Sequence, residues 1–297
     1  MMFLEYLFIF LLGLAIGSFL NCVIYRLAAS ERGAASSEAS LAHSGREPRP
    51  DGSEREKWNS FLKGRSYCPK CKRKLSWQDL VPVFSFIFLR GKCRYCKKPI
   101  SLQYPIVELA TAILFVLVAY FSFLNLLAIS YLLVITSLLI IIFVFDLKHY
   151  IIPDGAVFSA IGISFVYRLW EFRIWDLFRN WDLGFRNLES MWIVLLSAVG
   201  ASTFFLLIFL VSQGRWMGFG DVKLAFFMGL FLGFPNILAA LFLAFLIGAI
   251  IGVCLIIFGK KKFSSEVPFG PFLIMGTFLA LLFGEKLISW YLGFVTI

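Results

Sequence analysis

Long apolar runs recur along this chain of 297 residues, and they constrain its fold more than any other feature. Eight such runs are present: Phe3 to Ile24, Pro105 to Phe121, Leu124 to Phe145, Ala156 to Trp170, Met191 to Ser212, Val222 to Phe234, Ile237 to Phe258 and Pro271 to Phe283. A helix of about 20 apolar residues crosses the hydrocarbon core of a bilayer. The runs do not alternate apolar and polar residues as barrel strands do, so helices must satisfy the backbone. The sequence therefore predicts an all-α polytopic membrane protein with about eight transmembrane helices.

The composition agrees with a membrane protein and excludes a soluble globular enzyme. Hydrophobic residues make up 60% of the chain and charged residues only 15%. Soluble domains are about half apolar and about a quarter charged.

Positive charge is concentrated in one connection, from Arg26 to Gln103. This segment holds 17 of the 28 Lys and Arg but 7 of the 18 Asp and Glu, an excess equal to the net charge of +10. A basic loop beside membrane spans is typical of the cytoplasmic face, where anionic lipid attracts it. We therefore expect a multi-pass protein with its N-terminus outside and membrane lipid, not nucleic acid, as the partner of this loop.

The basic loop divides the predicted organisation into three parts. Residues 1–25 form the first transmembrane helix, residues 26–103 the cytoplasmic loop, and residues 104–297 the remaining spans. Within the loop, residues 28–63 are rich in Ala, Ser, Gly, Glu and Arg and have too little apolar content to fold alone, which predicts a flexible linker. Residues 66–99 carry a cysteine pattern.

Four cysteines in the loop have the spacing of a metal site. Cys68 and Cys71 form one C-x2-C pair and Cys93 and Cys96 a second, with 21 residues between the pairs. Two such pairs predict a tetrahedral zinc site made of four thiolates. Two disulfides or an iron–sulfur cluster are the alternatives, although a reducing cytoplasm disfavours disulfides. Because four protein ligands leave no open position for substrate, the predicted zinc is structural.

Two aspartates lie at the ends of predicted spans. Asp146 ends the run SLLIIIFVFD, and Asp221 follows the glycines Gly218 and Gly220 in MGFGD. Two spans separate the acids, so both face the same side of the membrane, and carboxylates at membrane depth are usually functional. A carboxylate pair that shares a proton can activate water and polarise a carbonyl, as in aspartic proteases. The alternative is that each Asp is merely a polar residue at a helix end, with Asp221 as a cap.

The two glycines before Asp221 and the lysine after it each allow two interpretations. Glycines at positions 218 and 220 suit close approach of a substrate backbone or unusual dihedral angles. Lys223, two residues after Asp221, either tunes that acid electrostatically or anchors the helix at the interface.

Several stretches together resemble one enzyme family. They are GSFLNCVIYR, the four-cysteine loop with LRGKCRYCKKPIS and YPIVELATA, FDLKHYIIPDG, and MGFGDVKLAFFMG. In this order they resemble the prepilin peptidases, the type IV prepilin leader peptidases of the GxGD aspartic-protease class. The resemblance implies that Asp146 and Asp221 are catalytic, that Gly218, Gly220 and Lys223 support the catalytic loop, and that residues 104–297 form a transmembrane peptidase domain.

The resemblance also implies a location and a substrate. It implies an enzyme of the bacterial inner (cytoplasmic) membrane that cleaves the leader of type IV prepilins, or of type II secretion pseudopilins, at the cytoplasmic face. Many members also N-methylate the new terminus with S-adenosylmethionine, and their large cytoplasmic loop is implicated. No Gly-rich nucleotide loop in this sequence supports methylation independently, and Ala28 stands where the family often has proline.

Two non-peptidase functions remain as alternatives. An ion-coupled transporter would use buried acids, but such acids normally lie near the bilayer midplane between repeats, and we find no internal repeat. A pilus-assembly scaffold without enzymatic activity would tolerate replacement of either Asp.

Overall fold

The computed structural model describes residues 2–44, 67–68, 70–71, 73–121, 126–171, 181–257 and 267–295. Within these ranges the regular structure is helical, with a short 3-10 turn at Trp77–Leu80 and two isolated β-bridges. The α-helices are α1 (Met2–Ser44), α2 (Phe84–Phe88), α3 (Gln103–Phe121), α4 (Leu126–His149), α5 (Asp154–Glu171), α6 (Trp181–Ser212), α7 (Phe219–Leu232), α8 (Asn236–Ile257) and α9 (Gly270–Val295). The all-α prediction is confirmed.

Every predicted apolar run coincides with a helix. Among the described residues, six helical segments are long and apolar enough to cross a membrane: Leu4–Ala29, Gln103–Phe121, Leu126–His149, Met191–Ser212, Asn236–Ile257 and Gly270–Phe294. The other two predicted spans correspond to α5, which carries Arg168 and Glu171 in its last turn, and to α7, which has only 14 residues. The last helix continues well beyond Phe283, where the sequence predicted its end.

The chain forms two compact units, and the first is Met1–Phe123. In this unit α1 and α3 pack with their backbones in contact. A Cβ atom at Gly13 would lie 2.5 Å from Cα of Ala112, and one at Gly17 would lie 2.7 Å from Cα of Glu108. Glycines four residues apart on one helix permit such close packing between membrane helices.

The first helix is longer than the sequence predicted. Helix α1 continues without a break to Ser44, whereas residues 28–63 were expected to form a linker after a span ending at residue 25. Ala, the strongest helix former, occupies six of the positions 28–44, which accounts for the difference. The rest of the predicted linker, residues 45–63, lies outside the described residues.

The second unit is Leu124–Ile297 and contains α4 to α9. Here too, helices meet at small residues: a Cβ atom at Gly229 of α7 would collide with Ala198 of α6, and one at Gly276 of α9 with Ala240 of α8. The boundary between the units follows α3, so α3 belongs with the first unit and not with the 104–297 segment of the predicted division.

A partly buried polar contact fixes the far end of α7. The guanidinium group of Arg168 in α5 donates hydrogen bonds to the carbonyl oxygens of Leu230 (3.3 Å) and Phe231 (2.6 Å). These carbonyls lie in the last turn of a helix, where no intrahelical partner is available. The contact ties α5 to the end of α7 that lies opposite Asp221.

Candidate active site and metal cluster

Asp146 lies in the last turn of α4 and is only 4% exposed. The backbone N–H of Gly270, the first residue of α9, donates a hydrogen bond to its carboxyl group. Asp146 therefore contacts a second helix that is remote in sequence, although it belongs to α4.

Asp221 lies in the first turn of α7 and is 7% exposed. The backbone N–H of Gly218 donates a hydrogen bond to its carboxyl group, and the charge of Asp146 acts on it directly. Its Oδ1 atom has no hydrogen-bond partner within the described part of the chain. The structure thus brings together the two acids that the sequence singled out, with one carboxylate oxygen unused.

Ile152 packs against Gly220, the residue before Asp221. This residue is 8% exposed and lies in the connection between α4 and α5. A Cβ atom at Gly220 would lie 2.9 Å from Cβ of Ile152, so any residue with a side chain at position 220 would collide with Ile152. Gly218 has ordinary extended dihedral angles (φ −78°, ψ 152°), and a Cβ atom added there would have no neighbour closer than 3.9 Å. Unusual dihedral angles therefore explain neither glycine, packing against Ile152 explains Gly220 alone, and the close approach of a substrate backbone stays a prediction.

Lys223 contacts a different acid from the one expected. Its Nζ atom forms an ion pair with Oδ1 of Asp154 at 2.7 Å and lies over the rings of Phe158 (5.4 Å) and Phe219 (5.1 Å). The ion pair joins α7, two residues after Asp221, to the first residue of α5. Lys223 therefore connects the two segments around the acids.

We predict that Lys223→Met lowers the rate of the reaction at the acids by about fivefold, because the loss of a partly exposed ion pair changes free energies by about 1 kcal/mol. Asp154→Asn should have the same effect, and the double variant should be no worse than either single one. The rates are compared with those of Lys148→Met, an exposed lysine near Asp146. Additive losses in the double variant would contradict a shared role.

The four cysteines form one cluster in the first unit. Each contributes a sulfur atom, and the four sulfur atoms all lie within 4.8 Å of one another. All four are free thiols, so the disulfide alternative is not what the structure contains. Thiolates bound tetrahedrally to one zinc at about 2.3 Å would lie about 3.8 Å from one another, which is within this limit. The donor set fits a single metal ion.

Backbone hydrogen bonds shape each cysteine pair into a tight turn. The N–H of Cys68 donates to the carbonyl of Arg73 (3.0 Å), and the N–H of Cys93 donates to the carbonyl of Lys98 (2.9 Å). Burial raises the pKa of the Cys68 thiol, but hydrogen bonds from the backbone of Cys71 and Lys70 outweigh burial and lower it to about 7. These backbone hydrogen bonds favour the thiolate form of Cys68, which is the form in which cysteine binds a metal.

The first unit also contains a partly open cavity of about 500 Å³. It is lined by the second half of the α1 span, the start of α3 and the cysteine-containing loop. Asn21 is 3% exposed; its Nδ2 atom donates to the carbonyl of Tyr104 (3.0 Å), while its Oδ1 has no partner among the described residues. Glu108, 7% exposed, accepts hydrogen bonds from the N–H of Val83 (2.8 Å) and from Ser18. The cavity therefore combines apolar walls with buried acceptor oxygens.

Four residues of these two sites were not found from the sequence. Gly270 and Ile152 adjoin the acids, and Asn21 and Glu108 line the cavity. The available signals were a glycine between two prolines in PFGP before an apolar run, and polar residues inside apolar runs.

Two family models match the chain. Residues 11–123 match the bacterial peptidase A24 N-terminal domain, and residues 133–253 match the type IV leader peptidase family. The chain is 32% identical to the prepilin leader peptidase/N-methyltransferase of Aeromonas salmonicida over 293 residues, covering 98% of this chain and 94% of the relative. The chain belongs to the type IV leader peptidase family. This membership confirms the resemblance seen in the motifs.

Other members of the leader peptidase family are similarly related. The protein of the same name from Bacillus subtilis is 35% identical over 233 residues, covering 78% of this chain and 87% of the relative. The one from Pseudomonas aeruginosa is 31% identical over 284 residues, covering 96% and 92%. No solved structure matches the chain.

Proposed function

We propose that this leader peptidase is a membrane aspartic endopeptidase that removes the leader of type IV prepilins or pseudopilins. The observation that supports this function is the buried carboxylate pair, Asp146 and Asp221, held on separate helices of one unit. The names of its relatives supply the substrate class. Both acids stand at helix ends, which disfavours the transporter alternative.

The chemistry assigned to the pair is that of two acids sharing one proton. The ionised carboxylate takes a proton from water, and the protonated partner donates a hydrogen bond to the scissile carbonyl. The unused Oδ1 of Asp221 is a suitable acceptor for the water. The open space beside Gly218 leaves room for a substrate backbone. Because the carboxyls interact, the pair titrates as a unit.

The proposed location is the bacterial inner membrane, with the N-terminus outside and the acids at the cytoplasmic face. The concentration of Lys and Arg between Arg26 and Gln103 supports this orientation. Anionic lipid is the partner of the basic loop, and prepilins are the substrates. No role is proposed for nucleic acid.

Zinc is the metal proposed for the cluster of Cys68, Cys71, Cys93 and Cys96. Four thiolates from two C-x2-C turns are the ligand set of structural zinc sites, and they stabilise small loops that lack a core of their own. The ion gives the cysteine-containing loop a fixed conformation and takes no part in hydrolysis.

We expect purified protein to contain about one zinc per chain, as a four-thiolate site requires. Cys68→Ser should remove the metal, because a serine hydroxyl is a poor zinc ligand. Cys254→Ser, which alters an exposed cysteine of α8, is the matched control and should retain it. Elemental analysis measures both. Iron with visible absorption, or no metal in the wild-type protein, would contradict the assignment.

A second activity, N-methylation of the new terminus with S-adenosylmethionine, is supported by the names of the relatives and by the cavity of the first unit. Ligand pockets of about 300–1,000 Å³ are usual for molecules of this size. Tyr25, Tyr67 and Tyr104 line the cavity and suit an adenine ring and a sulfonium cation. Asn21 and Glu108 would accept hydrogen bonds from the donor's amino groups. S-adenosylmethionine, when bound, supplies the methyl group.

One experiment tests both activities. Purified protein in detergent is incubated with a prepilin, with and without S-adenosylmethionine, and product masses are recorded. We expect a shortened pilin in both reactions and an additional mass of one methyl group only when the donor is present. An uncleaved prepilin would exclude the peptidase function.

A further inference from the structure

Gly270 makes an unusually close contact with one of the two acids. A Cβ atom at this position would lie 2.5 Å from Oδ2 of Asp146 and 3.3 Å from its Cγ. The N–H of the same residue donates a hydrogen bond to that carboxyl group. One residue of α9 thus donates its N–H to Asp146, and the carboxyl group occupies the place where a side chain of that residue would lie.

The backbone conformation does not explain the glycine. Glycines with φ in the left-handed region among the described residues are Gly91, Gly214 and Gly233, and Gly270 is not one of them. Any residue could therefore adopt its dihedral angles. A side chain at position 270 is excluded because Asp146 already occupies that space.

The other closely packed glycines of the second unit have different neighbours. Gly276 and Gly229 face the backbone of adjoining helices, Gly220 faces the side chain of Ile152, and Gly284 faces the amide oxygen of Asn236. Gly270 faces a carboxylate oxygen first, with Cδ1 of Ile152 next at 3.2 Å. Its contact is therefore directed at the acid and not at a helix interface.

We propose that Gly270 is a positioning residue of the peptidase site, which holds the Asp146 carboxyl group through its N–H and leaves it room to face Asp221. The inference rests on the proposed peptidase function. An N–H at the start of a helix is a fixed donor and also carries the positive end of the helix dipole. It fixes one oxygen of Asp146 as an acceptor, so the orientation of the other oxygen is fixed as well.

The first test is Gly270→Ala, with Gly293→Ala as the matched control. Gly293 lies in the same helix and has no neighbour within 4 Å of an added Cβ atom. Displacement of a catalytic group by about 1 Å costs about 10²-fold in rate, so kcat for prepilin cleavage should fall by about that factor while KM changes by less than about twofold. Gly293→Ala should match the wild type. A wild-type kcat in Gly270→Ala would overturn the proposal.

A double variant separates the acid from its neighbour. Valine lacks the Cδ1 atom of isoleucine, so Ile152→Val removes the other close contact of the added methyl group. If Gly270→Ala acts through Asp146, Gly270→Ala/Ile152→Val should remain as slow as Gly270→Ala. Recovery of the rate to that of Ile152→Val would assign the effect to packing against Ile152 and overturn the proposal.

A stability cycle tests the contact without any assay of activity. Overpacking a buried site should lower the Tm of Gly270→Ala by about 4 °C. In the Asp146→Ala background the same substitution should have no effect on Tm, because the carboxyl group that it meets is gone. An equal loss in both backgrounds would overturn the proposal. If the wild-type protein cleaves no prepilin, the peptidase function fails, while this cycle still reports on the contact.

Discussion

Asp146→Asn and Asp221→Asn are each expected to lower the rate of prepilin cleavage by at least about 10³-fold. Asparagine keeps the shape of the side chain but can neither take a proton from water nor share one with its neighbour. Either substitution thus removes one half of the proposed pair, and the remaining acid cannot perform both steps. The measurement is cleavage of a prepilin by each variant in membranes that contain equal amounts of protein.

Asp154→Asn is the control for this experiment. It makes the same chemical change at a mostly exposed acid of the same unit, whose partner is Lys223. Its loss of about fivefold should be far smaller than the loss from either buried acid. Turnover within tenfold of the wild type by Asp146→Asn or Asp221→Asn would refute the dyad.

Glu108→Gln is expected to weaken the binding of S-adenosylmethionine by about tenfold or more, while cleavage of the leader, which does not need this donor, proceeds at the wild-type rate. Hydrogen bonds to a charged acceptor contribute about 1.5–3 kcal/mol, and the amide removes the charge with little change of shape. Binding of the donor is measured by calorimetry, and the product mass shows whether methylation is lost.

Glu5→Gln is the matched variant for the methyl-donor prediction. Glu5 is an exposed acid in the first turn of α1 and does not line the cavity. It should bind the donor as the wild type does. Equal affinities for all three proteins would remove Glu108 from the proposed site.

The sequence predicted the parts of this structure that depend on local pattern. Apolar runs located the helices, and the spacing of Cys68, Cys71, Cys93 and Cys96 predicted a cluster that the structure contains. Counting the spans between Asp146 and Asp221 placed both acids on one side, and they do adjoin. These features follow from the spacing of residues and from the number of spans between two positions, and both can be counted in the sequence.

The sequence did not predict the contacts between segments that are remote along the chain. Gly270 and Ile152 lie 124 and 6 residues after Asp146, and no periodicity links them to it. The N–H that α9 contributes to Asp146 likewise comes from outside the helix that carries this acid. The polar composition after residue 27 predicts a linker, but its alanines favour helix, and α1 extends to Ser44.

The division into two units has a consequence for how such a gene can evolve. Every side chain invoked for proteolysis lies within Leu124–Ile297, whereas the cysteine cluster and the cavity lie within Met1–Phe123. Mutations that alter the carboxylate pair therefore fall in a different part of the gene from mutations that alter the cysteine cluster or the cavity. Recombination near codon 123 could exchange the segment that encodes either unit as a block. The unit that carries the proposed metal and donor sites could then change in one lineage while the carboxylate pair is inherited intact.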